Sequence, residues 1–184
     1  MRTAHSSEVQ RLHRRITRPA LALFVALFVV IAGPSPALAH EFGPFAIDRY
    51  AALLVGPEGG EFDYVFEFAE TPTQADGDRI EADPESFCTE LLDGVTFTVD
   101  GVAVELPEPR AAAVRSDGDG GLTTLRLECG WNTSWSSASG ERVVVFDDAN
   151  FRGRVGWREI LVVADRTEIT GDVSDESVTE RLTD

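Results

Sequence analysis

The stretch EFDYVFEFA, residues 61–69, sets Phe62, Tyr64, Phe66 and Phe68 at every second position, with Glu61, Asp63 and Glu67 between them. Successive side chains of an extended chain point to opposite faces, so this spacing describes a strand with one aromatic face and one largely acidic face. Four rings on one side require a deep apolar core against them, and an isolated hairpin cannot supply it. The chain must therefore build a sheet and cover it with a second layer.

Other stretches supply that sheet. PFAIDRYAALLV (44–55) reads as a first strand, and GLTTLRLECGW aligns Thr123, Leu125, Leu127 and Cys129 on one side. GVTFTVDGVAVEL alternates through Val95, Phe97 and Val99, turns at Asp100-Gly101 and returns through Val102, Val104 and Leu106. Asp-Gly between alternating runs is the favoured two-residue hairpin. RVVVF (142–146) and VGWREILVVA (155–164) are apolar on both faces and read as central strands. One helix interrupts the series: Asp83 caps it, Pro84 suits its first turn, Phe87, Cys88, Leu91 and Leu92 share a face, and Gly94 ends it. These segments predict a mainly β fold, an immunoglobulin-like β-sandwich with one short helix.

Two acidic stretches read as solvated loops. DGDRIEADPESF opens like a calcium loop with Asp76 and Asp78, but has Glu81 where a glycine makes the sharp turn and Phe87 where a bidentate Glu belongs. SDGDGG (116–121) resembles a hairpin turn. The tail, residues 166–184, is polar, and its SDESVTERL segment offers a short helix with Val178 and Leu182 to bury.

The N-terminus carries a different signal. Residues 1–19 hold Arg2, Arg11, Arg14, Arg15 and Arg18 against Glu8 alone, and ALALFVALFVVIA (20–32) follows without a charge. Gly33, Pro34 and Pro36 break that run before Ala37-Leu38-Ala39. A basic region, a short apolar region and an A-x-A site describe a secretory signal peptide cleaved after Ala39. Thirteen apolar residues span about 20 Å as a helix, short of a bilayer's core of about 30 Å. The expected organisation is a signal peptide over 1–39, a sandwich domain over 40–165 and a polar tail or linker over 166–184, exported to the cell envelope or beyond and soluble once cleaved.

Cys88 and Cys129 both lie behind the leader, and in an oxidising compartment two such thiols are expected to pair. The full chain has 32 acids, 16 Arg and no Lys, a formal net charge of −16. Without the leader's five Arg and one Glu, 31 acids face 11 Arg. Such a surface repels nucleic acid and anionic lipid, so no nucleic-acid partner is expected.

Candidate chemistry is sparse. Cleavage would expose an α-amine and an imidazole together on His40, a pair able to chelate a divalent metal, with Glu41 or Asp48 as additional oxygen donors. The other histidines, His5 and His13, sit in the leader. No G-x-S-x-G, H-E-x-x-H or glycine-rich phosphate loop is present, and an enzyme is not expected. Trp131 and Trp135 flank the sequon Asn132-Thr133-Ser134; they read either as a partner surface or as packing at the margin of the core. Arg152, Arg154 and Arg158 surround Trp157 beside Asp147 and Asp148, where internal ion pairs are the simplest reading.

Five stretches in order, AHEFGPFAIDRY, FAETPTQAD, LTTLRLECGW, NFRGRVGWREI and VSDESVTERLTD, resemble the exported N-terminal module of bacterial nickel/cobalt transporter-like membrane proteins. The resemblance spans nearly all of residues 39–184, and NFRGRVGWREI is its most specific part. In that family the module opens at a His-Pro-Leu-Gly-Asn-Phe-type start; here Glu41 stands for the proline and Pro44 for the asparagine. The family continues into transmembrane helices, whereas this sequence ends at Asp184. The resemblance implies an extracytoplasmic, non-catalytic domain that captures or hands over a divalent metal, nickel or cobalt, beside a membrane transporter component. The alternatives are a metal-independent module docking on a membrane or envelope partner, or a fragment of a longer gene.

Overall fold

A computed structural model describes residues 43–136 and 140–183. The elements run β1 (Ile47–Val55), β2 (Gly59–Phe68), α1 (Glu70–Ala82), α2 (Pro84–Leu91), β3 (Val95–Val99), β4 (Val102–Ala103), β5 (Arg110–Asp117), β6 (Thr123–Ser134), β7 (Val144–Asp148) and β8 (Arg158–Ala164). They form a five-stranded sheet in the order β5-β6-β2-β1-β8 and a three-stranded sheet in the order β4-β3-β7. All strand pairs are antiparallel except β1 with β8. The fold is mainly β and sandwich-like, with the helices sharing the second layer.

The aromatic row of β2 organises the core as its spacing demands. Phe62, Tyr64, Phe66 and Phe68 are buried together with Leu125, Leu127, Cys129 and Trp131 of the neighbouring β6. Phe97 and Val99 of β3 and Phe87, Cys88 and Leu91 of α2 close over them. Phe62 stacks on Trp131 at 5.1 Å and meets Phe146 of β7 edge-on at 5.3 Å, so the rings bridge the two sheets. The Asp100-Gly101 hairpin forms as expected, both residues taking positive φ between paired Val99 and Val102.

Several expectations are corrected. Among the described residues there are two α-helices rather than one. α2 matches the expectation, with Asp83 accepting the Ser86 N–H at 3.0 Å, but DGDRIEA is the end of α1 and not a loop. Asp78 and Glu81 pair with Arg115 at 2.6 Å each, and Asp76 stands 3.6 Å from Arg79. RAAAVRSD forms β5, so SDGDGG closes a β5–β6 hairpin as its turn, its first two residues belonging to the strand. Neither apolar stretch is central: β7 and β8 each border a sheet. β8 is apolar on both faces because the core covers one side and the tail the other, while Val144 and Val145 of β7 are exposed. In the tail, residues 174–183 form a bridge and turns rather than a helix; Leu182 packs inward and Val178 is exposed.

Candidate functional site

The core-facing row of β1 is Ile47, Arg49, Ala51, Leu53 and Val55, an arginine among apolar side chains. A buried guanidinium needs a charge partner. β7 provides it: Arg49 Nη1 lies 3.4 Å from Asp148 Oδ2, with both side chains buried, and also donates to the Asn150 carbonyl. Asp148 Oδ1 accepts the Asn150 N–H at 2.8 Å, and Arg158 of β8 stands 3.8 Å from Oδ2. The Asn150 side chain donates to the Leu91 carbonyl at 2.8 Å and to the Tyr64 hydroxyl at 3.3 Å. Gly94 makes room for that amide, since a Cβ there would collide with it. Burial, reinforced by the charge of Asp148, pushes the Tyr64 hydroxyl far above the usual tyrosine range. The network ties β1, β2, β7, β8 and the end of α2 together; it holds no exposed group positioned for proton transfer or attack.

The opposite face of the five-stranded sheet holds a second constellation. Tyr50, Val65 and Leu161 form a small buried apolar cluster there, with Leu182 of the tail packed on it. Glu159 accepts the N–H groups of Val178 at 2.7 Å and Thr179 at 3.3 Å, and the hydroxyls of Ser177 and Thr179. Burial of Glu159 opposes its ionisation, but these bonds together outweigh it and hold the carboxyl below its ordinary range. Arg126 donates to the carbonyls of Arg181 at 2.9 Å and Leu182 at 3.2 Å while pairing with Glu67 and Glu128 at 2.6 Å each. Arg181 reaches Asp63 at 2.9 Å. Upstream, Ser174 bridges Leu161 in parallel and accepts the Val162 N–H at 2.9 Å. The face thus grips a turn of the tail largely through its backbone groups, with Leu182 as the apolar anchor.

The grip also maintains a costly conformation. Glu180, Arg181 and Leu182 have φ of 44°, 64° and 62°, a left-handed turn without glycine. Each such residue costs about 1–2 kcal/mol, and Arg126 bonds two carbonyls of this turn.

The sequence-predicted residues fall in different places. His40, with Glu41, lies outside the described residues, as does the leader. Cys88 and Cys129 form the expected disulfide, Cα to Cα 5.8 Å, tying α2 to β6. Trp131 does not offer a partner surface: it is buried, because its position shares the inward face of β6 with Leu127 and Cys129. Trp135 is half-buried and packs edge-on against Phe97 at 6.2 Å, so the pair belongs to the core and its margin. Two of the three clustered arginines pair as expected, Arg152 with Asp147 at 2.6 Å and Arg158 with Asp148 at 3.8 Å; Arg154 has no such ion pair. Among the described residues, no group of three or more His, Cys, Asp or Glu is placed to hold a metal, and no helix is long and apolar enough to cross a membrane. A polar depression of about 300 Å³ lies at the β1–β2 turn, beside Glu58, Asn132, Asp165 and Arg166.

Sequence reasoning missed both constellations. Arg49 and Glu159 carried a findable signal, each being a charged residue inside an apolar strand run. A comparison with protein-family models, curated proteins and solved structures finds no match.

Proposed function

We propose that this chain is an exported, non-catalytic binding domain that docks on a membrane component of a nickel/cobalt-transport-type system. The supporting observation is the outer face of the five-stranded sheet, where Glu159 and Arg126 read the backbone of residues 178–182 and an apolar cluster takes Leu182. Side chains that grip backbone groups, plus one hydrophobic anchor, constitute a way of holding a short peptide turn. The resemblance to an exported transporter module supplies the membrane setting. The stretches that carry it, IDRY, RLEC and NFRGRVGWREI, include Arg49, Arg126, Asn150, Arg158 and Glu159, which build the two constellations.

The face can be tested directly. Leu182→Asp in the full chain loosens the anchor, and a labelled peptide of residues 172–184 is then offered in solution. The variant is expected to bind the peptide at least about tenfold more tightly than the unmodified protein, whose own tail occupies the face. Equal affinities, or no binding to a folded variant, contradict the reading.

The second reading, metal capture, rests on the amine and imidazole that cleavage would place on His40. Titration of the mature protein with nickel, cobalt and copper separates the two. Metal capture requires binding tighter than millimolar that disappears when the α-amine of His40 is acetylated; docking requires neither.

A further inference from the structure

We propose that the end of the five-stranded sheet where β1 and β8 begin is a lipid-docking surface, with Phe45, Val155 and Trp157 entering the headgroup region of a bilayer and Arg154 meeting its phosphates. Those three apolar side chains are 61%, 54% and 38% exposed. Their backbone is nevertheless firmly held. The Ile47 N–H donates to the Val155 carbonyl and the Arg49 N–H to the Trp157 carbonyl, both at 2.9 Å. Residues 155–157 therefore run beside β1 and extend the parallel β1–β8 pairing backward. The Asp48 carboxylate accepts the Trp157 N–H at 2.5 Å. Gly156 has a φ of 144°, and a Cβ there would collide with the Ile47 backbone, so the close approach requires glycine. Phe45 sits in a turn fixed to the start of α1, where the Thr71 and Ala69 N–H groups donate to the Pro44 and Ala46 carbonyls at 2.9 and 3.0 Å.

The charge at this end is the reverse of the molecule's. The chain as a whole carries −16, yet residues 149–158 hold three arginines and no carboxylate. Arg152 is engaged by Asp147 and Arg158 by Asp148. Arg154 is exposed and has no carboxylate partner, whereas every other arginine among the described residues has one. A free guanidinium among apolar side chains suits a phosphate, which it can bond through two N–H groups at once. Tryptophan and phenylalanine beside such a cation match the interfacial zone of a membrane, which accommodates ring and charge together.

An acidic protein could also satisfy Arg154, but the chain upstream favours lipid. Residues 20–32 are an uninterrupted apolar run, and only residues 33–42 separate them from Gly43, where the described chain starts. Ten residues reach about 35 Å at most. A leader seated in a bilayer thus delivers Phe45 and its neighbours to the lipid surface first. The acidic remainder of the molecule is repelled by anionic headgroups, which turns this end toward them.

Vesicle binding tests the proposal. Residues 38–184 form a compact unit of their own, so the chain beginning at His40 serves, free of the apolar run. It is expected to co-sediment with vesicles of equimolar phosphatidylcholine and phosphatidylglycerol, and less as sodium chloride rises from about 0.05 to about 0.5 M. Arg154→Glu and Val155→Asp should each weaken that binding by roughly tenfold or more while near-ultraviolet dichroism is retained. Val114→Asp, at an exposed apolar position on β5, should bind as the unmodified protein does. Lipid brominated just below the headgroup should quench tryptophan fluorescence, and Trp157→Phe should remove most of the quenching, since Trp131 is buried and Trp135 half-buried. Absence of binding at millimolar lipid, binding indifferent to Arg154→Glu and Val155→Asp, or an equal loss in Val114→Asp overturns the proposal. Binding only to vesicles that contain reconstituted membrane proteins assigns the surface to a protein partner and overturns it too. None of these outcomes bears on the tail-binding face, which Leu182→Asp tests.

Discussion

Asp148 is the residue on which the interior depends most. Its carboxylate is buried between Arg49 and Arg158 and caps the Asn150 N–H, so removing it strands a guanidinium in the core. Loss of one partner of a buried pair costs roughly 3–5 kcal/mol. Asp148→Ala is expected to lower stability in chemical denaturation by that amount, with the double variant Arg49→Met/Asp148→Leu losing less than the two single variants summed. A loss for Asp148→Ala below about 1 kcal/mol would show that the pair does not hold β7 against β1. The two tyrosines report on the same interior and on the outer face. Burial raises both hydroxyls above the ordinary tyrosine value, Tyr64 much more than Tyr50. A raised folded-state pKa gives stability that is complete below the unfolded value, about 10, and is lost as pH rises beyond it. The Tyr64 contribution to tyrosinate absorbance should therefore emerge together with alkaline unfolding rather than near pH 10.

At the scale of elements, the tail and its carboxylate form a pH-sensitive clasp. Glu159 ionises more readily in the folded chain than in the unfolded one, so its stabilising effect is present above about pH 4.3 and disappears as pH falls through the lower folded value. Protection factors of the Val178 and Thr179 amides, corrected for the intrinsic pH dependence of exchange, should fall on acidification and in Glu159→Gln at neutral pH, while the amides of β2 and β6 stay protected. Unchanged exchange at those two positions would detach Glu159 from the clasp. This clasp was not legible in a polar tail, because its hold depends on backbone groups meeting side chains far away in sequence. Strands with strong alternation were legible: β2, β6 and the β3–β4 hairpin lie where their apolar spacing puts them. β5 escaped notice because RAAAVRSD pairs small residues with charged ones, and its stability comes from the ladder to β6. α1 was hidden by Pro72, Gly77 and a run of polar residues; burial of Thr73 and Ile80 and the Arg115 bridge hold it in place. The apolar runs of β7 and β8 misled for opposite reasons, since one is exposed and the other is covered on both sides.

At the scale of the whole molecule, the disulfide is the main covalent constraint. Cys88 and Cys129 are 41 residues apart, a loop whose closure is worth roughly 3–4 kcal/mol by chain entropy. Cys88→Ser/Cys129→Ser is expected to lose about that much in urea denaturation, and reduction of the unmodified protein should reproduce the loss. A double variant as stable as the oxidised protein would show that the bridge joins elements already fixed by packing. The proposed export rests on the leader-like N-terminal sequence, read as a signal peptide, and on the Cys88–Cys129 disulfide, which suits an oxidising compartment. The most direct measurement of that account is the intact mass and N-terminal sequence of the protein recovered from outside the cytoplasmic membrane. The account predicts a chain beginning at His40 with Cys88 and Cys129 joined; a cytosolic product that retains Met1 and two reduced thiols would contradict it.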